Sequence, residues 1–229
     1  MPGVLPDMTL LRQLVDSAPS IRPWSTPAPE GLLRSVELSA GTALPRSYRW
    51  WLAEFGGGVV DGTPLGTQEF DADGLVFWRD GDCGAAYRFG DEVGGERCVV
   101  GDEGVVAESF AGFLTTRVAL ALGLRDGPNP AVARLWRATP GVLLDNGVHV
   151  YGPDSFGERN ATVEVARYAP HWVLVGDDSG GAGLFMRRHG RDRESVHRLD
   201  LGAVGPDVAE DGELVTADLV GWVEAGGEL

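Results

Sequence analysis

The segment Gly176-Asp-Asp-Ser-Gly-Gly181 holds the residues best suited by type and spacing to do chemistry. It invites three readings. A serine-nucleophile loop of the form Gly-Asp-Ser-Gly-Gly is close, but here an extra aspartate separates the glycine from Ser179. The chymotrypsin order also needs an early histidine, and the first histidine in this chain is His149. That reading fails. A metal or acid–base site would join Asp177 and Asp178 to His171 or His189. Adjacent strand residues point to opposite faces, a calcium loop needs more spaced oxygens, and no His-Glu-x-x-His cluster occurs. The structural reading fits best: the aspartates bond nearby backbone N–H groups and the glycines take positive φ. No residue is assigned as catalytic, and none as a metal or cofactor ligand. Asp177 and Asp178 are kept as candidate contacts to a partner. So are Trp50, off the apolar face of its helix, and Trp78, off the inward face of its strand if Phe77 points in.

Such a loop needs a frame. Trp172 to Val175 and Leu184 to Met186 are apolar runs on either side of it, the pattern of a hairpin. A weaker copy lies at Leu75 to Phe89. Leu44 to Gly58 reads as a helix, with Pro45 at its first position, an apolar face of Tyr48, Trp51, Leu52 and Phe55, and a glycine stop. Pro130 to Trp136 matches Pro45 to Trp51 at an offset of 85 positions, and the hairpins align at a longer offset that sets Asp80 on Asp177. Each half closes on an aromatic helix, near Ala107 to Leu122 and Ala217 to Val223. The repeated order predicts a degenerate tandem duplication. Units of 1–126 and 127–229 follow, joined through Gly123 to Pro130.

Smaller expectations fill the gaps. Asp7 or Thr9 caps a first helix, and Ser17 to Gly31 is an extended connection. Asp154 caps a helix that ends near Tyr168, Val196 to Leu201 is a strand, and the acidic stretch Asp207 to Glu213 is a solvated loop. Trp51, Trp136 and Trp222 belong to the core, Cys83 is a small buried residue, and Asn160 is a turn or cap residue.

Composition sets outer limits. The chain has 229 residues and a net charge of −15, and every basic residue apart from histidine is an arginine. Without lysine there is no Schiff-base chemistry and no P-loop. The acidity argues against nucleic acid and suits a basic partner. Two cysteines, Cys83 and Cys98, make no disulfide framework and have no metal spacing. The N-terminus lacks the basic region of a signal peptide and no apolar run is long enough for a membrane span. A cytoplasmic protein is expected.

These elements resemble the SUKH superfamily of cell-wall-regulator-like (Smi/Knr-type) domains. The first half carries Leu-Pro-x-x-Tyr-x-x-Trp-Leu (Leu44 to Leu52) followed by glycines, an apolar strand entering a Gly/Asp loop, and a closing helix with Phe110, Phe113 and Leu114. The second carries Tyr151-Gly, Asn160, Tyr168-Ala-Pro-x-Trp, Gly-Asp-Asp-x-Gly-Gly and Trp222. It departs at Asn129, where the leucine before proline is missing, and the first half has Arg79-Asp80-Gly81 in place of Gly-Asp-Asp. The resemblance implies an α+β fold of two units, each a twisted, mainly antiparallel sheet with packed helices. It implies a non-enzymatic protein-binding role, foremost immunity to a polymorphic toxin such as a basic nuclease domain. A regulatory scaffold is the alternative, and an enzyme built on Asp177 and Asp178 a distant third.

Overall fold

The computed structural model describes residues 4–66, 69–71, 74–125 and 127–229. The fold is α+β. The chain opens with α1 (Met8–Ser17), whose start is set by Asp7: its carboxylate accepts from the N–H groups of Thr9 and Leu10. The proline-rich connection contains β1 (Ile21–Pro23) and leads to α2 (Glu30–Ala40) and α3 (Arg46–Phe55). Pro45 is the N-cap of α3 rather than its first residue, because its ψ of 141° is still extended. The hairpin β2 (Gly58–Val60) and β3 (Thr63–Leu65) pairs with β1 in a small antiparallel sheet.

Five strands then run as an antiparallel meander: β4 (Glu69–Asp71), β5 (Gly74–Arg79), β6 (Ala86–Val93), β7 (Glu96–Gly101) and β8 (Gly104–Ala107). The helix α4 (Phe110–Ala121) closes this half, capped by Ser109. The second half starts with α5 (Pro130–Trp136), β9 (Val142–Leu143) and β10 (His149–Val150). Next come α6 (Pro153–Thr162) and α7 (Val165–Tyr168), then β11 (Trp172–Asp177), β12 (Ala182–Arg187) and β13 (Val196–Asp200). The acidic stretch expected to be a loop folds as α8 (Val208–Asp211) and β14 (Glu213–Thr216), because Val208 is fully buried and anchors it. The closing helix is α9 (Leu219–Glu224). Strands β9 to β14 form one antiparallel sheet in chain order.

Two other expectations change here. The helix after Tyr151 begins at Pro153 with Gly152 as its N-cap, so Asp154 sits in the first turn. It stops at Thr162 because Glu164 adopts a left-handed φ of 51° before α7.

The two hairpins share a detail. Register breaks between Val76 and Trp78 in β5, and between Leu174 and Gly176 in β11. The last paired residue before each turn is Arg79 or Asp177, and the first turn is one residue longer than the second. Asp80 therefore corresponds to Asp178, not to Asp177 as a gapless alignment of the hairpins sets it. Both carboxylates bond their own turn: Asp80 accepts from the N–H groups of Asp82 and Cys83, and Asp178 from those of Gly180 and Ala182.

Each half has its own apolar core, one around Tyr48, Trp51, Phe77 and Phe110 and the other around Trp136, Trp172, Phe185 and Met186. The division of the cores is not the division at 126/127. Ala119 of α4 belongs to the second core, and Val4 and Leu124 pack against it. The seam between the halves is tight. The N–H of Glu108 donates to the carbonyl of Arg137 at 2.7 Å, and the Ser109 hydroxyl donates to the carbonyl of Ala138 at 2.5 Å. Gly112 lies against the same stretch, where a β-carbon would collide with the Arg137 carbonyl.

One buried charge ties the first half together. Glu96 is 3% exposed and accepts from the N–H of Ser47 at 2.8 Å and from its hydroxyl at 2.7 Å. It thereby serves one of the free N–H groups at the start of α3 from across the fold. Burial pushes its carboxyl above the ordinary value, against the Ser47 hydrogen bonds. A raised folded pKa means stability falls as pH rises from the unfolded value, about 4.3, through the folded one. Glu96→Gln is expected to remove that slope, seen as a smaller loss of stability across this window than in the wild type. Glu96→Ala is expected to cost about 3 kcal/mol in denaturant melts, because it leaves the Ser47 donors unsatisfied.

Candidate functional site

The Asp177–Asp178 loop is a fastened turn. The Asp178 side chain is 7% exposed and bonds the Arg198 guanidinium through Nη2 at 2.6 Å and Nε at 3.1 Å, besides its two backbone donors. Burial opposes ionisation of Asp178, but Arg198 and the turn N–H groups outweigh it and hold the carboxyl below its ordinary value. Asp177 points elsewhere. It accepts from the Tyr151 hydroxyl and from the N–H of Ser179, whose own hydroxyl donates to the Gly147 carbonyl at 2.6 Å. The two carboxylates share no site. Asp178→Ala is expected to lower stability by about 2 kcal/mol, since it strands two N–H groups and a guanidinium. Unfolding curves of Asp178→Ala beside Asp178→Asn, which keeps an acceptor, would show it.

Behind Asp177 lies a small group of titratable side chains. The Tyr151 ring is buried, meets His149 edge to face at 5.1 Å, and has the Arg159 guanidinium 5.7 Å away. Burial, reinforced by Asp177, raises the Tyr151 hydroxyl pKa. Burial lowers that of His149 and raises that of Asp154. These groups wedge α6 against β10 and β11. Asn160 completes the wedge rather than making a turn: its amide donates to the carbonyls of Phe156 and Leu174 and accepts from the N–H of Leu174. It thus satisfies the backbone beside the β11 irregularity.

The aromatic candidates divide. Trp78 is 2% exposed and has no surface to offer a partner. The expectation assumed strict alternation along β5, which the bulge cancels. Phe77 and Trp78 both meet Phe113, each at 5.4 Å between ring centres. Trp50 is half-buried, set edge to face on Phe55 at 5.6 Å. Trp222 is half-buried rather than core, since Leu219 and Val223 take the inner face of α9. Cys83 is exposed at the tip of the first hairpin.

A cleft of about 900 Å³ lies where the two halves meet. Its walls carry Arg117, Arg125, Arg134, Arg137, Arg188 and Arg193, with His189. These are six of the chain's 19 arginines, and no carboxylate lies among the described lining residues. The remainder of the chain then holds 13 arginines against 34 acidic residues. The cleft gathers positive charge in a strongly negative molecule, with Asp61, Asp80, Glu194 and Asp218 pairing Arg117 and Arg134 from outside the lining. Tyr87, Val105, Leu120 and Pro128 supply an apolar side.

The arginines differ in how they are held. Arg117 is fixed, 2.9 Å from Asp61 and stacked over Trp78 at 4.6 Å. Arg134 has only exposed partners, Asp218 at 3.2 Å and Glu194 at 3.9 Å, which hold it weakly. Arg137 donates through Nη2 to the Val105 carbonyl, and its buried Nε–H has no acceptor among the described residues. Arg125, Arg188 and Arg193 are exposed, and their guanidinium groups pair with no described side chain. The wall carrying Arg188 and Arg193 is pinned by Asn129. Its amide donates to the carbonyls of Arg187 at 2.9 Å and Arg193 at 2.7 Å, while its oxygen caps α5 at the N–H of Ala131. The residue that breaks the leucine–proline pattern thus positions the cleft wall.

The sequence expectations missed this cleft. Its arginines come from separate stretches, and net charge hides their convergence. Pro128-Asn-Pro130 was a visible signal of an unusual junction, but not of what it positions. No helix among the described residues is long and apolar enough to cross a membrane. No protein-family model matches the chain, and no curated protein matches it.

Proposed function

We propose that this chain is a non-enzymatic binding protein that neutralises a toxin domain by seating an acidic segment of it in the arginine-lined cleft. The convergence of six arginines on one cleft, in a molecule that is otherwise negative, carries the reading. Guanidinium groups bind carboxylates in a planar, two-pronged geometry, and an arginine in a partly desolvated cleft is a frequent hot spot of protein interfaces. The resemblance to the SUKH superfamily supplies the kind of partner. A basic nuclease domain suits both signs of charge. Its body is attracted to the acidic remainder of this chain, and the carboxylates with which such enzymes hold catalytic metal ions are the groups that arginines would occupy. Inhibition then follows from occlusion.

Co-purification of this protein with the toxin domain encoded beside it tests the reading. Stoichiometric capture that weakens with salt, and that fails when Arg188 and Arg193 are reversed in charge, is the expected outcome. Capture unaffected by that reversal would remove the cleft from the interface.

A further inference from the structure

We infer that the same cleft binds a compact, phosphate-rich small molecule of the nucleoside polyphosphate class, which competes with the protein partner. This rests on the cleft being an anion-recognition site and goes beyond it in naming a second ligand. Three observations carry it. The first is surplus of charge: Arg117 is taken by Asp61 and Asp80, but Arg125, Arg188 and Arg193 have no described side-chain partner, Arg134 is held only by exposed carboxylates and Arg137 lines the same cleft, which is more than the two or three arginines that a carboxylate segment of few residues calls for. A chain of phosphates carries enough negative charge in a small volume to use most of them.

The second is the shape of the charge. An extended polyanion such as a nucleic acid strand would run out over the rest of a chain that holds 34 acidic residues against 13 arginines. A ligand held inside a cleft of about 900 Å³ is not forced onto that surface, and its size is within the range of small-molecule sites. The third is polarity within the cleft. Arg188 and Arg193 stand on a wall pinned by Asn129, and Arg137, whose buried Nε–H has no acceptor among the described residues, also lines the cleft. Half-buried Tyr87, with Val105 and Leu120, gives an apolar side. Phosphates on the arginines and a base against Tyr87 use both. Arg134 would release its exposed carboxylate partners to join the phosphates.

Calorimetric titration with ATP, tripolyphosphate and adenosine separates the possibilities, using the full chain, the Arg188→Ser/Arg193→Ser variant and an Arg34→Ser control, each checked for folding by its melting curve. Expected are ATP binding about 100-fold weaker in the double variant, unchanged binding in the control, weaker binding of tripolyphosphate, and none of adenosine. Tyr87→Ala should weaken ATP and leave tripolyphosphate unchanged. ATP that fails to bind, or binds equally well to the double variant, overturns the inference. An acidic peptide that binds through Arg188 and Arg193 while ATP does not would sink the nucleotide site and leave the partner-binding reading standing. Failure of both ligands would sink both.

Discussion

Reversing Arg188 and Arg193 to glutamate is expected to weaken capture of an acidic partner by at least about 100-fold. Each charge-assisted hydrogen bond to a guanidinium contributes about 1.5 kcal/mol or more, so losing two costs about 3 kcal/mol, which is about 100-fold in affinity. The reversal also replaces attraction by repulsion at two exposed positions, an effect that salt should reduce. Neither side chain makes a hydrogen bond or ion pair with a described residue, and both are exposed. Stability should therefore change by less than about 0.5 kcal/mol. A titration of wild type and variant beside their unfolding curves would separate affinity from folding. Reversal of Arg34 and Arg79, which are exposed and outside the cleft, should leave affinity nearly unchanged.

Gly112→Ala is expected to lower stability by about 3 kcal/mol and to weaken binding together with it. Overpacking a close contact costs about 1–3 kcal/mol, and this one lies at the upper end because the obstacle is backbone. The added β-carbon meets the carbonyl of Arg137 and the N–H of Ala138, neither of which can swing aside. Relief requires α4 to move away from the segment that follows α5. That motion strains the Glu108 and Ser109 bonds across the seam and shifts Arg137 in the cleft. Chemical denaturation measures the first effect and titration of an acidic ligand the second. A stable variant with normal binding would mean that the two halves are not held rigidly at this seam.

Local physics made much of the architecture legible. Asp7 as a cap, the apolar face of α3 and the hairpin around Gly176 to Gly181 all depend on neighbours within a few residues. The α+β class was legible for the same reason. What failed depended on distant partners. The burial of Trp78 turns on a bulge whose cause lies in strand pairing. The acidic stretch around Val208 folds because the second core offers a place for that side chain. Asn160 gives no local sign that it will clamp Leu174. The arginine cleft is the clearest case. Arg117 comes from α4, Arg134 from α5 and Arg193 from the connection before β13, and only the folded chain brings them together. A net charge of −15 suggested a basic partner and gave no hint of a basic cleft.

The most direct test is an NMR titration that follows the arginine Nε–H resonances while a short glutamate-rich peptide is added. The account predicts that Arg188, Arg193 and Arg137 shift first and saturate together, while Arg34 and Arg79 stay still. Shifts spread evenly over all arginines, or confined to residues outside the cleft, would contradict it.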